Sequence, residues 1–296
     1  MQMMISCDWG LSAFRIRLLA GSEVAEIAAE SSGTRGIASL AASAPAEFIG
    51  VLQDEIQRLF HQAREAPRPV PVCLSGMVSS SLGWKQLPYA PLPFPLDGSR
   101  AVIGQDVLAC PYGTHPLYFV SGICSHDDVM RGEECELVGI FSSMNIRRAR
   151  EDAVAILPGT HSKSIEVHKG EITAFRTFLT GELYQLLCRH SVLAHSVGPD
   201  APVEADEHFE MGVLRSKECG LLGSLFSVRA LSLLEGASPE YSRRYLSGLL
   251  IGDELAGTLA SYPAPAAVVL GGSPPLQRLY RRALELLGAG DRVFPV

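Results

Sequence analysis

Apolar positions along this chain fall into continuous runs, alternating runs and helical stripes, and their order predicts a mixed architecture. Met3, Met4 and Ile5 lead into Cys7, a turn follows at Asp8-Trp9-Gly10-Leu11-Ser12, and Phe14, Ile16 and Leu18 then alternate with Arg15 and Arg17. This predicts a buried strand, a tight turn and a half-exposed second strand. Residues 23–30 continue as a third strand and residues 31–36 as a polar loop. Residues 45–61 carry Ile49, Leu52, Ile56 and Leu59 at helical spacing, with Ser43 placed to cap that helix and Pro45 tolerated in its first turn. Residues 70–74 form a buried strand. The proline-rich stretch 79–112 is irregular, and its Trp84, Tyr89 and Phe94 favour a packed excursion beside a pocket. Residues 117–120 read as another strand, and Asp128 caps a helix running to about residue 141.

The opening pattern then recurs. Residues 153–157 are an apolar strand, residues 158–163 a turn, and residues 165–168 and 171–178 two further strands. Gly10 and Gly159 lie half a chain apart, which points to internal duplication. The charged stretch 145–152 marks the junction, so a first domain is expected over 1–147 and a second over 148–296. Helices are expected over 181–194, 204–215 and 221–234. A longer one runs from Ser238 to about residue 260 with Gly248, Gly252 and Gly257 inside it, each costing about 1 kcal/mol, which points to close packing against another backbone or to a hinge. A last buried strand over 266–270 ends at Gly271-Gly272-Ser273, before a helix over 274–287 and a final strand at 293–296.

Composition narrows the class. With 296 residues, 47% hydrophobic and 19% charged, the chain is globular and long enough for two cores. A net charge of −7 disfavours a nucleic-acid or anionic-membrane surface. Seven scattered cysteines without a C-x-x-C indicate buried thiols in a reducing compartment, and the absence of a signal sequence or an 18-residue apolar run suggests a cytoplasmic protein. Oligomeric state is not readable from these features.

The candidate chemistry is that of a nucleotide phosphotransferase. Asp8, at the end of a buried strand, can hold Mg²⁺ through water, and Gly10 lets a phosphate approach the backbone. A hairpin whose Asp and Gly only satisfy turn geometry accounts for the same residues. Gly159, Thr160, His161, Ser162 and Lys163 offer N–H groups, hydroxyls and a cation to phosphates, or else form an ordinary hairpin with a surface lysine. Gly271 and Gly272, with Ser273, can admit a nucleoside or simply make a tight connection. Asp127 and Asp128 are placed to serve as the base for phosphoryl transfer, and Asp128 alternatively only caps a helix. Arg131, Glu133 and Glu134 either pair at the surface or orient an acceptor and metal-bound water. No H-E-x-x-H, G-x-S-x-G or G-x-x-x-x-G-K-[ST] occurs, so zinc-peptidase, serine-hydrolase and P-loop readings fall.

The stretches CDWGLSAFRIRLL, SGMVSSSLGWKQLPY, DVMRGEECELVG, LPGTHSKSIEV, FRTFLTGELYQLL, LFSVRA and YLSGLLIGDELAG together resemble the 2-dehydro-3-deoxygalactonokinases, bacterial sugar-acid kinases of the actin, hexokinase and Hsp70 superfamily. The resemblance implies two ribonuclease-H-like α/β domains around an ATP cleft that closes on the nucleotide. It also implies transfer of phosphate from ATP, with Mg²⁺, to a small sugar acid, 2-dehydro-3-deoxygalactonate. Carried over by position, Asp8 and Gly10 fall in the first phosphate motif, with Ser12 beside them, Gly159 to Lys163 in the second, and Gly271 and Gly272 in the adenosine motif.

The same resemblance makes Asp128 the candidate base, with Asp127 or a nearby glutamate as alternatives. Ser75, Gly76, Met77, Ser79 and Trp84 would border the sugar-acid pocket, with Arg176 and Glu182 as further candidates. Leu11 departs from the small or hydroxyl residue usual in the first turn, so Asp8 and the backbone must carry that role. The family typically continues into a final helix beyond the position of Val296. A kinase for a related acid such as 2-dehydro-3-deoxygluconate, and a non-catalytic ATP-dependent switch, are the alternatives.

Overall fold

The computed structural model describes residues 3–21, 26–40, 45–143, 151–199, 202–262 and 267–295. Two compact units divide at Gly139 and Ile140. The junction expected at 147/148 lies outside the described residues, as do the cap expected at Ser43, the first residues of the expected third strand, Ala266 and Val296.

In the first unit, β1 (Met3–Trp9), β2 (Phe14–Ala20), β3 (Glu26–Gly33), β4 (Val72–Gly76), β7 (Ile103–Cys110) and β8 (Gly113–Val120) form one sheet in the order β3-β2-β1-β4-β8-β7. The strands β1, β2 and β3 are antiparallel neighbours, whereas β1 with β4 and β4 with β8 are parallel. Short strands β5 (Ala90–Pro91), β9 (Ile123–Cys124) and β10 (Val129–Met130) make a separate small sheet, and β6 (Phe94–Pro95) lies in the same excursion. The helices are α1 (Ile37–Leu40), α2 (Pro45–Ala63) and α3 (Glu133–Ser143). The stripe of α2 packs on the sheet around Trp9, whose indole meets Phe48 edge-on at 5.7 Å. Such an aromatic pair is worth about 0.5–1.5 kcal/mol beyond its buried area.

The second unit repeats the plan. Its strands β11 (Asp152–Leu157), β12 (Ser162–His168), β13 (Glu171–Phe178), β14 (Ala267–Leu270) and β15 (Val293–Pro295) run in the order β15-β14-β11-β12-β13. The first three are antiparallel, and β14 and β15 join in parallel. The duplication expected from Gly10 and Gly159 is therefore a duplication of topology, each glycine standing in the turn between the first two strands. The helices are α4 (Thr180–His190), α5 (Ala194–Val197), α6 (Glu207–Cys219), α7 (Leu221–Ser224), α8 (Ser227–Leu234), α9 (Pro239–Ser261) and α10 (Pro274–Leu286). A Cβ on Gly248 would lie 2.1 Å from the Phe209 carbonyl oxygen, and one on Gly252 would lie 2.8 Å from Val213 Cα. Two of the three helix glycines thus let α9 press against α6, while Gly257 faces only the rim of the Phe178 ring.

The helices expected over 181–194 and 221–234 are each divided in two, as α4 and α5 and as α7 and α8, and three further elements differ from expectation. The stretch taken as a polar loop continues β3 through Gly33, because buried Ser31 donates to Glu55 at 2.7 Å and so tolerates a sheet position. The irregular stretch contains the eight-residue strand β7, whose exposed Ile103 and Val107 disguise an edge strand as disorder in the hydropathy pattern. The helix assigned to Asp128 begins at Glu133. The Ser125 hydroxyl accepts from the Asp127 and Asp128 amides, folding those residues into the β9–β10 turn instead. No helix among the described residues is long and apolar enough to cross a membrane.

Candidate active site

The first turn is held by its backbone. Gly10 N–H donates to the Ala13 carbonyl at 2.9 Å, and the Gly10 and Leu11 carbonyls accept from Ile37 and Ala38 at the start of α1. A Cβ on Gly36 would lie 2.3 Å from the Leu11 oxygen, so only glycine lets α1 rest there. Leu11 and Ser12 face solvent. Gly10 borders an opening of about 480 Å³ together with Asp8, Arg15 and Thr34.

Strand register brings the chemistry together. Asp8 stands opposite Arg15 on β2 and Ser75 on β4, so the three side chains share one face. They line a cavity of about 430 Å³ with Arg131, Glu133 and Glu136, the last two one helical turn apart on α3. Desolvation raises the Asp8 carboxyl above its ordinary range; Arg15 opposes that shift, and the nearby Glu133 adds to it. Glu136 is raised by desolvation and by the charges of Asp8 and Glu133. Arg131 is fixed by stacking 4.3 Å from the Tyr89 ring centre, and its Nη1 donates to the Ser79 hydroxyl and carbonyl at 2.7 Å each. Among the described residues no three His, Cys, Asp or Glu groups cluster to hold a metal ion. A single carboxylate such as Asp8 suits a hydrated ion whose remaining ligands come from water and phosphate.

Several expected residues stand elsewhere. Asp128 does not line this cavity, and its Oδ1 accepts the adjacent Val129 N–H at 2.7 Å. Ser79 is fully buried beneath Arg131, Met77 packs on the core, and Trp84 is wedged between Phe48 and Phe119. These three support the pocket wall and do not line it. Glu134 is buried, accepts the Gly132 N–H at 2.7 Å, and is pushed up to about 8 chiefly by desolvation. Arg176 is exposed on β13, its Nη1 3.3 Å from the Ser261 hydroxyl. Glu182 pairs with His161 at 2.6 Å beside the second turn.

In the second unit the turn after β11 is braced by α4. Glu182 N–H donates to the Thr160 carbonyl, and a Cβ on Gly181 would lie 2.5 Å from the Gly159 oxygen. Gly159 opens onto a pocket of about 380 Å³ with mostly apolar walls, among them Tyr184, Val203, Leu250, Ile251 and Leu276, and with Arg278 at its edge. Lys163, expected to offer a cation to phosphates or else to lie on the surface, is only 4% exposed, because it stands in β12 opposite Leu157. Gly271 and Gly272 do not line the pocket: the Gly271 N–H pairs with Ile156, and a Cβ on Gly272 would lie 3.2 Å from the Pro158 ring. Ser273 occupies the N-cap position of α10 without a side-chain capping bond, and the helix it starts supplies Leu276 and Arg278 to the pocket wall.

Residues 8–295 match the family model described as 2-keto-3-deoxy-galactonokinase. The chain belongs to that family. A protein of Rhizobium meliloti (strain 1021) named "Probable 2-dehydro-3-deoxygalactonokinase DgoK1" is 34% identical over 292 residues, covering 96% of this chain and 90% of the relative. The 2-dehydro-3-deoxygalactonokinase of Escherichia coli (strain K12) is 30% identical over 301 residues, covering 98% of this chain and 94% of the relative. A crystal structure described as "a putative 2-dehydro-3-deoxygalactonokinase protein from Sinorhizobium meliloti" superposes with a TM-score of 0.83 at 32% identity, over 99% of this chain and 93% of that one.

Within this galactonokinase-family chain, sequence reasoning missed Arg15, Glu136 and the apolar pocket. Arg15 was findable, since a hairpin that pairs Trp9 with Phe14 necessarily pairs Asp8 with Arg15. Glu136 follows Glu133 at i+3. The apolar pocket draws on five separate segments and carries no local signal.

Proposed function

We propose that this chain transfers the γ-phosphoryl group of ATP to 2-dehydro-3-deoxygalactonate, giving its 6-phosphate and ADP. One observation carries the assignment of parts. The same strand–turn–strand topology occurs in both units, one turn preceded by the carboxylate of Asp8 and the other opening through Gly159 onto an apolar pocket. The apolar pocket suits an adenine ring, with Gly159 and Thr160 toward the phosphates and Arg278 at its edge. Asp8 would hold the Mg²⁺ that accompanies ATP, and that ion would supply charge neutralisation to the transferred group. Ser75 and Arg131 border the acceptor, where Arg131 offers a preorganised cation to a carboxylate.

Glu133 is the base in this reading, in preference to Asp128. It lines the cavity that holds Asp8 and Asp128 does not, while each carboxylate accepts one nearby backbone N–H, from Arg131 for Glu133 and from Val129 for Asp128. A coupled ADP-release assay across a panel of sugar acids tests the proposal. Turnover with 2-dehydro-3-deoxygalactonate well above that with the gluconate epimer is expected. Saturable ATP binding with no turnover on any sugar acid would leave a switch and not a kinase.

A further inference from the structure

Glu254 lies in the middle of α9, 2% exposed, inside the stretch YLSGLLIGDELAG but with no role assigned to it above. Its carboxylate accepts three hydroxyls from three elements. Ser162 Oγ donates to Oε1 at 2.6 Å, while Thr180 Oγ1 and the Tyr280 hydroxyl both donate to Oε2, at 2.5 and 2.6 Å. The Tyr280 hydroxyl also stands 3.3 Å from Ser162 Oγ. Ser162 is the first residue of β12 after the Gly159 turn, Thr180 is the first of α4, and Tyr280 lies on α10. Thr180 and Tyr280 both line the apolar pocket. Burying a carboxylate is costly unless its lone pairs are occupied, and three hydroxyl donors occupy them here. Burial pushes the Glu254 carboxyl up, and the three donors oppose that shift.

We infer that Glu254 is a positioning residue of the nucleotide site, setting the spacing between the second phosphate turn and the pocket walls on α4 and α10. The inference rests on the reading of that pocket as the ATP site. Glu254 touches no substrate; it acts through Thr180, Tyr280 and Ser162. Removing it frees three walls at once, so the binding-competent geometry is populated less and apparent ATP affinity falls by that fraction. Glutamine keeps a carbonyl oxygen for Thr180 and Tyr280, and its amide can donate to Ser162.

The test measures kcat, both KM values and ATP affinity by calorimetry on the full chain. Glu254→Leu should raise the ATP KM by about tenfold and leave the acceptor KM within about twofold, as a competent fraction of about one tenth would give. Glu254→Gln should recover most of the loss, and Tyr280→Phe, which deletes one donor, should raise the ATP KM a few-fold. A lowered melting temperature with an unchanged ATP KM, or equal rises in both KM values, would reduce Glu254 to a structural role and overturn the inference. If Glu254→Leu does not fold, Tyr280→Phe decides, and an unchanged ATP KM in that variant overturns it. Leu250→Trp, which fills the pocket, separates the two levels. Intact ATP affinity in that variant removes the pocket assignment and the inference together. Lost affinity alongside a silent Tyr280→Phe removes the inference alone.

Discussion

A Cβ placed on Gly76 would lie 2.9 Å from Asp8 Oδ1 and 2.9 Å from the Trp9 carbonyl oxygen. Gly76 ends β4 with φ of +82°, a conformation that suits glycine. Gly132, with φ of +114°, approaches the same carboxylate from the α3 side, its Cβ position being 3.7 Å from Oδ1. Two glycines therefore fix where the Asp8 carboxylate can stand. Gly76→Ala is expected to displace it, cutting kcat by about a hundredfold, the scale of a 1 Å misplacement, and to cost about 1–3 kcal/mol of stability through backbone strain. Near-normal kcat in a folded variant would show that Asp8 tolerates movement.

Asp8→Asn should remove turnover and keep the fold. The folded protein raises the Asp8 pKa, so its ionised form is disfavoured on folding, and the associated stability is present at low pH and lost as pH rises through the folded value. The asparagine variant should thus melt no lower than the parent at pH 7 while losing at least about a hundredfold in kcat, as removal of a charge-stabilising group does. Retained turnover would detach Asp8 from the metal and phosphate.

The two candidate bases separate cleanly. Glu133→Gln should lower kcat by about 10²- to 10⁴-fold, the range of general-base contributions, with a small change in ATP affinity. Asp128→Asn, which keeps an acceptor for the Val129 N–H, should retain most activity. The reverse outcome in the ADP-release assay restores Asp128 as the base.

Glu134 predicts a pH dependence of stability. Its pKa rises from 4.5 to about 8 in the folded state. Between those values the folded chain binds the additional proton, so its contribution is complete below about 4.5 and declines as pH rises toward about 8. Glu134→Gln mimics the protonated acid and still accepts from Gly132. Thermal melts at pH 5 and pH 8 should therefore show the variant gaining on the parent as pH rises. A gap independent of pH would place the Glu134 pKa in the ordinary carboxylate range.

The paired turns were legible because a strand–turn–strand unit is written locally: apolar runs, alternation and a turn glycine all lie within about twenty residues. Asp8, Gly10 and Gly159 were found that way, and Arg15 was within reach of the same reasoning. The burial of Lys163 was not legible, because the start of β12 is covered on both faces, Ser162 and Ser164 on one and Lys163 and Ile165 on the other. Asp128 misled because an acid before a helical stripe looks the same whether it caps the helix or closes a turn.

Chain order alone thus specifies two similar α/β units and the turns that open each of them, since backbone hydrogen bonding and side-chain periodicity are properties of neighbours in sequence. The face of a strand that is covered, the helix that carries Glu133 and Glu136 to Asp8, and the carboxylate that ties Ser162, Thr180 and Tyr280 together were decided only in three dimensions. Glu254 is 74 residues from Thr180 and 92 from Ser162. At such separations the hydrogen bonds exist only because packing of α9 has already excluded water and brought those hydroxyls to one carboxylate.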